Sequence, residues 1–180
     1  MLGFTIRSEV IVNVLSHAEA TLDNPNPMFQ DMGEYQVQST QQNFRDSKAP
    51  DGSKWLPNSE TTYMSILGSQ HENKDGTLNK KGINRVQSKK PLVGSGLLRD
   101  QIHYQISGDL LLVGSNLEYA AVQQFGATIK PKNKKTLSWK IGGVSVFAKK
   151  VVIPAREYLG ISIPDETELQ NIAGDHILPP

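Results

Sequence analysis

Two consecutive glycines, Gly142-Gly143, sit at the centre of a mirror-symmetric pattern. Outward from them Ile141 faces Val144, Trp139 faces Val146, and Leu137 faces Ala148. A two-residue loop that tolerates positive φ at both positions closes a β-hairpin, and that closure puts all six apolar residues on one face. Thr136, Ser138, Lys140, Ser145 and Lys149 take the other face, with Phe147 the single misfit. A two-stranded ribbon is marginal alone in water, whereas each Leu or Val it covers contributes about 1.5–3 kcal/mol. The apolar face of hairpin 136–149 must therefore dock, on the chain's own core or on a partner.

Helical signals surround this ribbon. Val10, Ile11, Val14, Leu15, Ala18 and Leu22 recur at intervals of three and four, which predicts an amphipathic helix over 6–22 capped by Thr5 or Ser8. Asn24-Pro25-Asn26-Pro27 stops it, because proline lacks the amide hydrogen and restricts the residue before it. A weaker helical pattern runs from Met28 to Phe44, with a polar face rich in glutamine and poor in charge. The economical arrangement of 5–47 is two antiparallel helices joined by the Asn/Pro turn. Residues 48–90 lose all periodicity, and connections of that length are usually functional loops or unstructured segments. Most of 48–90 is therefore expected to be a mobile arm, with the Pro50-Asp51-Gly52 turn and Trp55 as an anchor.

Residues 91–160 read as an α/β core. Ser95 precedes a short helix; Ile102, Tyr104 and Ile106 alternate with polar residues as a half-buried strand; Gly108-Asp109 turns the chain into a second strand, Leu110 to Val113. Asn116 is placed to cap a helix through Phe125, with Gly126 as its stop. A last helix starts near Ser162, with Pro164, Asp165 and Glu166 in its first turn, and 161–180 forms this helix and a tail. The expected class is α+β. It comprises a small, mostly antiparallel β-sheet flanked by helices, an N-terminal helical hairpin, a long flexible loop and an extended β-hairpin.

Composition narrows the function. At 180 residues the chain fits one domain. The absence of cysteine excludes disulfides, Cys-ligated zinc, iron–sulfur clusters and thiol catalysis. No apolar run approaches the ~20 residues that span a bilayer, and the N-terminus does not read as a signal peptide. A soluble protein with no membrane partner is expected. His17, His71, His103 and His176 are scattered without metal-ligand spacing. Gly94 and Gly96 lack the third glycine and the preceding strand of a dinucleotide site. Asp165, Glu166 and Glu168 sit close enough to bind a cation, yet helix-start electrostatics accounts more simply for the first two, and no serine lies in a nucleophile elbow. The reading is of a non-enzyme without metal or cofactor.

The net charge of +1 hides a division. Residues 1–73 carry −5, residues 74–156 carry +11 and residues 157–180 carry −5. Such a distribution suits complementary surfaces that meet inside the fold or between molecules. Between Tyr119 and Glu157 there are seven lysines and Arg156 but no acid, with Trp139 and Phe147 interspersed. Non-sequence-specific nucleic-acid binding through 119–156 is accordingly the alternative function.

Four segments carry a resemblance: Ala-Pro-Asp-Gly-Ser-Lys-Trp-Leu-Pro at 49–57, Ser-Gly-Leu-Leu-Arg-Asp-Gln-Ile at 95–102, Val-Gly-Ser-Asn-Leu-Glu-Tyr-Ala-Ala-Val-Gln-Gln-Phe-Gly-Ala at 113–127, and Ile-Pro-Ala-Arg-Glu-Tyr-Leu-Gly at 153–160. In this order they resemble the tailed-phage virion morphogenesis family, the Mu-type protein G and related tail-completion proteins. Glu157 stands where the family usually has proline, while Tyr158 keeps the aromatic. The resemblance implies a neck or tail-completion subunit without an active site. It would act in the virion and be assembled in host cytoplasm, as a homo-oligomeric ring, hexamer or dodecamer, joining head to tail. Its partners would be itself, other neck, connector or tail-tube proteins, and DNA passing through the ring. A ring needs two different complementary surfaces on each subunit. The side chains assigned to such contacts are Trp55 on the loop, Trp139, Ile141, Val144 and Val146 on the hairpin, and Tyr119 and Phe125 on or under the central helix. The loop lysines Lys130, Lys132, Lys134 and Lys135 complete the set. Core packing is the competing role for Tyr119 and Phe125.

Overall fold

The computed structural model describes residues 9–58, 79–141 and 144–178, with the side chains of Val10, Gln87, Lys140, Ile141 and Val144 excepted. The caps expected at Thr5 or Ser8, the Gly142-Gly143 loop and residues 59–78 of the expected arm lie outside it. In chain order the elements are α1 (Glu9–Asp23), α2 (Asn26–Asp46), α3 (Lys80–Ser88), α4 (Leu97–Asp100), β1 (His103–Ser107), β2 (Leu110–Gly114), α5 (Ala120–Phe125), β3 (Ala127–Ile129), β4 (Leu137–Ile141), β5 (Val144–Ala148), β6 (Val151–Ile153) and α6 (Ile163–Ile177). The class is α+β, helices with small antiparallel sheets. The strands pair as three separate two-stranded ribbons, β1 with β2, β3 with β6 and β4 with β5. The β4–β5 register follows the mirror pattern of the sequence, Leu137 opposite Ala148, Trp139 opposite Val146 and Ile141 opposite Val144.

Three expectations are modified. The helix α1 packs mainly on α6, not back along α2; the hydroxyl of Thr21 donates to the His176 carbonyl at 2.7 Å. The face of α2 that an antiparallel partner would cover is taken by β1–β2, α4 and α6. Residues 80–88, expected within the mobile arm, form α3, capped by Asn79, whose side chain accepts from the Gly82 amide at 2.9 Å. That helix has only Ile83 and Val86 as apolar positions, too few to register as a period. Residues 47–55 are also ordered, with Lys48 bridged to Lys54 and the Trp55 amide donating to Ser47. Finally, α5 begins at Ala120 without a side-chain cap, so Asn116 is not its N-cap.

The core is a cluster of Phe44, Ala49, Trp55, Leu98, Ile102, Ala120 and Tyr158. Tyr158 belongs to residues 154–160, a stretch with no strand partner that turns Arg156 and Tyr158 inward while Ala155, Glu157 and Gly160 are exposed. Buried backbone groups need hydrogen-bond partners, and here side chains supply them. The Gln124 amide oxygen accepts from the Tyr158 and Leu159 amides at 2.9 and 3.0 Å, and its Nε2 donates to the Leu159 carbonyl at 2.9 Å. Asn43 donates to the Tyr158 carbonyl, Gln36 to that of Gly160, and the Trp55 indole to that of Glu157 at 2.7 Å. The polar residues of α2 thus face inward in part: Gln36, Thr40 and Asn43 are all buried.

Two further contacts fix α2. Gly33 is buried against the Tyr104 ring of β1, so close that an added Cβ would lie 2.5 Å from Tyr104 Cγ. At the start of α6, Ser162 and Asp165 form a capping box, and the same carboxylate accepts from Ser39 at 2.7 Å and Tyr35 at 3.0 Å on α2. Burial pushes the Asp165 carboxyl up, but the hydrogen bonds from Ser162, Ser39 and Tyr35 outweigh it and hold it below the usual range. Burial together with that carboxylate pushes the Tyr35 phenol up to about 12.

Two outcomes follow from this packing. Gly33→Ala, which would gain about 1 kcal/mol in an open helix, is expected to lose about 1–3 kcal/mol here through overpacking, read as a lower urea midpoint. Asp165→Asn is expected to be less stable than wild type at neutral pH. Because the folded-state pKa is depressed, the stability Asp165 contributes is complete above the ordinary carboxylate value of ~3.9 and is lost as pH falls through the folded value. The margin over Asp165→Asn should therefore shrink on acidification below about pH 4 in thermal melts; a margin that grows would contradict the assignment.

Candidate functional site

The four segments quoted from the sequence meet in the core. Ala49 and Trp55 come from the first, Leu98 and Ile102 from the second, Ala120 and Gln124 from the third, and Arg156 and Tyr158 from the fourth. Trp55 packs edge-on against Phe44, ring centroids 5.4 Å apart, and is 7% exposed. Its side chain serves the subunit's own interior. Arg156 is buried as well, its Nε donating to the Leu56 carbonyl and Nη2 to that of Pro57, both at 2.9 Å. The only arginine of the basic 119–156 region thereby ties residue 156 to the chain just after Trp55.

Beside this core lies an open concavity of about 1180 Å³ between the β4–β5 hairpin and the body. Leu137, Trp139, Val146 and Ala148 of the hairpin form one wall. Leu56, Leu92, Leu97 and Tyr119 contribute from the body, and Ile129 and Ile153 from the β3–β6 ribbon. Leu92 holds a left-handed conformation, φ 59°, which is costly for a bulky side chain, and it packs against the core cluster. The charged residues on the lining are Lys89, Lys90, Lys150 and Arg156; among the described residues no acid lines it. Lys90 is anchored through its ammonium to the Arg45 carbonyl at the end of α2.

The structure therefore gathers Tyr119, Trp139 and Val146 around one hollow and sets Trp55 behind its wall. Ile141 and Val144 pair at the hairpin tip, with side chains outside the described residues. Lys130, Lys132, Lys134 and Lys135 are exposed on the loop between β3 and β4. Phe125 is 77% exposed rather than in the core, because Gly126 ends α5 directly after it with φ 71°. A Cβ at Gly126 would strike the Ala155 amide and the Ile153 carbonyl, so glycine is required there twice over. Leu56, Leu92, Leu97, Lys89 and Lys150 were missed as wall residues. For Leu56 and Leu97 the signal available was their place within the quoted segments; Leu92, Lys89 and Lys150 lie outside them.

No cluster of His, Asp or Glu among the described residues could hold a metal ion, and no described helix is long and apolar enough to cross a membrane. An α+β subunit that spends its distinctive residues on its own interior and leaves apolar surface uncovered has the build of an assembly component. The chain belongs to the phage virion morphogenesis family, whose model matches residues 6–178. Its role is thus in phage structure and assembly. No curated protein and no solved structure matches the chain.

Arg156→Lys keeps the charge but cannot reproduce a planar fork on two carbonyls. It is expected to lower stability by about 1–3 kcal/mol in denaturant titration, equally at low and high salt. A variant as stable as wild type would show that the 56–57 wall is held in another way.

Proposed function

We propose that this protein is a neck or tail-completion subunit that closes into a ring joining the phage head to the tail. The observation that carries this reading is uncovered apolar surface at separate places on one small subunit. One such place is the concavity under the hairpin, and another is the outer face of α1, where Ile11, Leu15 and Leu22 are mostly exposed. Apolar grooves and helix faces left open to solvent are the kind of surface that interaction sites use. Two unlike surfaces on each copy are what a head-to-tail ring needs. Membership of a virion assembly family supports the same reading. In it the protein's partners are copies of itself and neighbouring neck, connector or tail-tube proteins. It resides at the neck or tail of the virion, and DNA passes through the ring.

A second reading has its own observation: the exposed lysines of the β3–β4 loop, which could track a phosphate backbone without base readout. The burial of Arg156 on two carbonyls and of Trp139 partly under the hairpin weakens it, since both are engaged within the subunit. Native mass spectrometry with negative-stain microscopy separates the two. A closed ring, hexamer or dodecamer, is expected for the purified protein or on addition of a tail tube or connector. A strict monomer under every one of these conditions would defeat the ring. Binding to unrelated duplex DNA that falls steeply with salt would favour the second reading.

A further inference from the structure

We propose that the apolar stripe of α1 from one copy seats in the concavity under the β4–β5 hairpin of the next, forming the repeating contact of the ring. This deepens the ring reading and rests on it. Within α1, residues 11, 15 and 22 fall along one side of the helix. Ile11, Leu15 and Leu22 are 57%, 63% and 69% exposed there. The adjoining side of α1, about a quarter-turn round the helix, carries Val14, His17 and Thr21, all half-buried, and is turned toward α6. The stripe is therefore uncovered by the chain's own described elements, although its spacing is that of a buried face.

Charge selects the occupant. α1 carries three acids, Glu9, Glu19 and Asp23, and no lysine or arginine. The concavity presents apolar walls with four cations and, among the described residues, no acid. An acidic apolar helix and a basic apolar hollow are complementary in both respects, and like-charged pairings are disfavoured. An α1–α1 contact would bring acid to acid, and a hollow–hollow contact cation to cation. The complementary arrangement is thus heterologous, the kind that propagates from copy to copy.

Geometry gives the contact a direction. The chain enters α2 from α1 at Asn26, whereas the concavity adjoins the other end of α2, where Lys90 holds the Arg45 carbonyl and Trp55 packs edge-on against Phe44. A 21-residue helix is about 31 Å long, so donor and acceptor surfaces are attached at opposite ends of a rigid strut. One subunit cannot fill its own hollow without leaving α6, to which Thr21 is bonded. The charge division of the sequence has the same polarity, acidic at the N-terminal end and basic in the middle.

The test uses two full-length variants, each with one surface spoiled. Leu15→Arg places a cation on the stripe; Ser138, which the alternation alone assigns to the other hairpin face, lies with Lys150 along the lining of the hollow, so Ser138→Glu with Lys150→Glu places acids there. All three positions are exposed, and circular dichroism checks that each variant is folded. The expected result in native mass spectrometry is monomer for each variant alone and assembly, heterodimer or larger, when they are mixed, because the introduced arginine and glutamates are themselves opposite in charge. Each variant also still offers one intact surface, and assembly of the mixture shows that both are folded. Wild-type rings with variants that still assemble, or a mixture that remains monomeric, would overturn the contact and leave the ring standing. A wild-type protein that stays monomeric with every partner would overturn both. Unchanged assembly of the Ser138→Glu, Lys150→Glu variant with lost duplex-DNA retention would overturn the contact and assign the hollow to phosphate. As an independent check, the cysteine-free chain permits a Leu15→Cys, Ser138→Cys variant. Oxidation should join neighbouring copies into a ladder, which the single-cysteine variants should not exceed as dimers.

Discussion

The subunit is arranged around residues 154–160, a segment that sends Arg156 and Tyr158 into the core without a sheet to pair with. A backbone in that position must find hydrogen-bond partners one group at a time. Gln36, Asn43, Trp55 and Gln124 provide them from α2, the 49–57 turn and α5. Tyr158 fills the space between those elements and donates its hydroxyl to the Ala120 carbonyl at 3.2 Å. The arrangement replaces a regular ladder with side-chain amides, and an unsatisfied partner would cost about 1–3 kcal/mol. That is why so small a set of residues couples the two ends of the sequence.

A tightly specified centre leaves the periphery available. The three ribbons share no common sheet, and the β4–β5 hairpin stands over a hollow rather than on a packed layer. The apolar side of α1 is likewise uncovered. Neither surface does anything for the isolated fold, and both are suited to burial in an assembly. The segments that resemble the phage family serve both parts: they supply most of the core and, through Leu56, Leu97, Tyr119 and Ile153, part of the wall of the hollow.

Much of this was legible beforehand where a local pattern has one solution. The β4–β5 register follows from Gly142-Gly143 and the alternation around it, since a slip by one residue would turn every apolar side chain outward. The start of α6 near Ser162, the β1–β2 turn and the Gly126 stop were visible for similar reasons. Less legible were α3, with two apolar residues in nine, and the inward role of the α2 glutamines, which polarity alone assigns to solvent. Trp55 was recognised as an anchor, but whether an anchor holds its own subunit or a neighbour depends on where Phe44 and Glu157 lie, a hundred residues apart for the latter.

The sequence by itself determined the class of fold, the hairpin register, the lack of thiol chemistry, the charge division and the family, because each depends on neighbouring residues, composition or ordered segments. Only the tertiary structure decided which apolar faces are used up and which remain open. Periodicity marks a stripe as apolar without naming its cover; the periodic stripe of α1 leaves Ile11, Leu15 and Leu22 mostly exposed, while α2 buries glutamine, threonine and asparagine. Burial and hydrogen-bond partnership are relations between distant elements, and they exist only once the chain has closed around Tyr158.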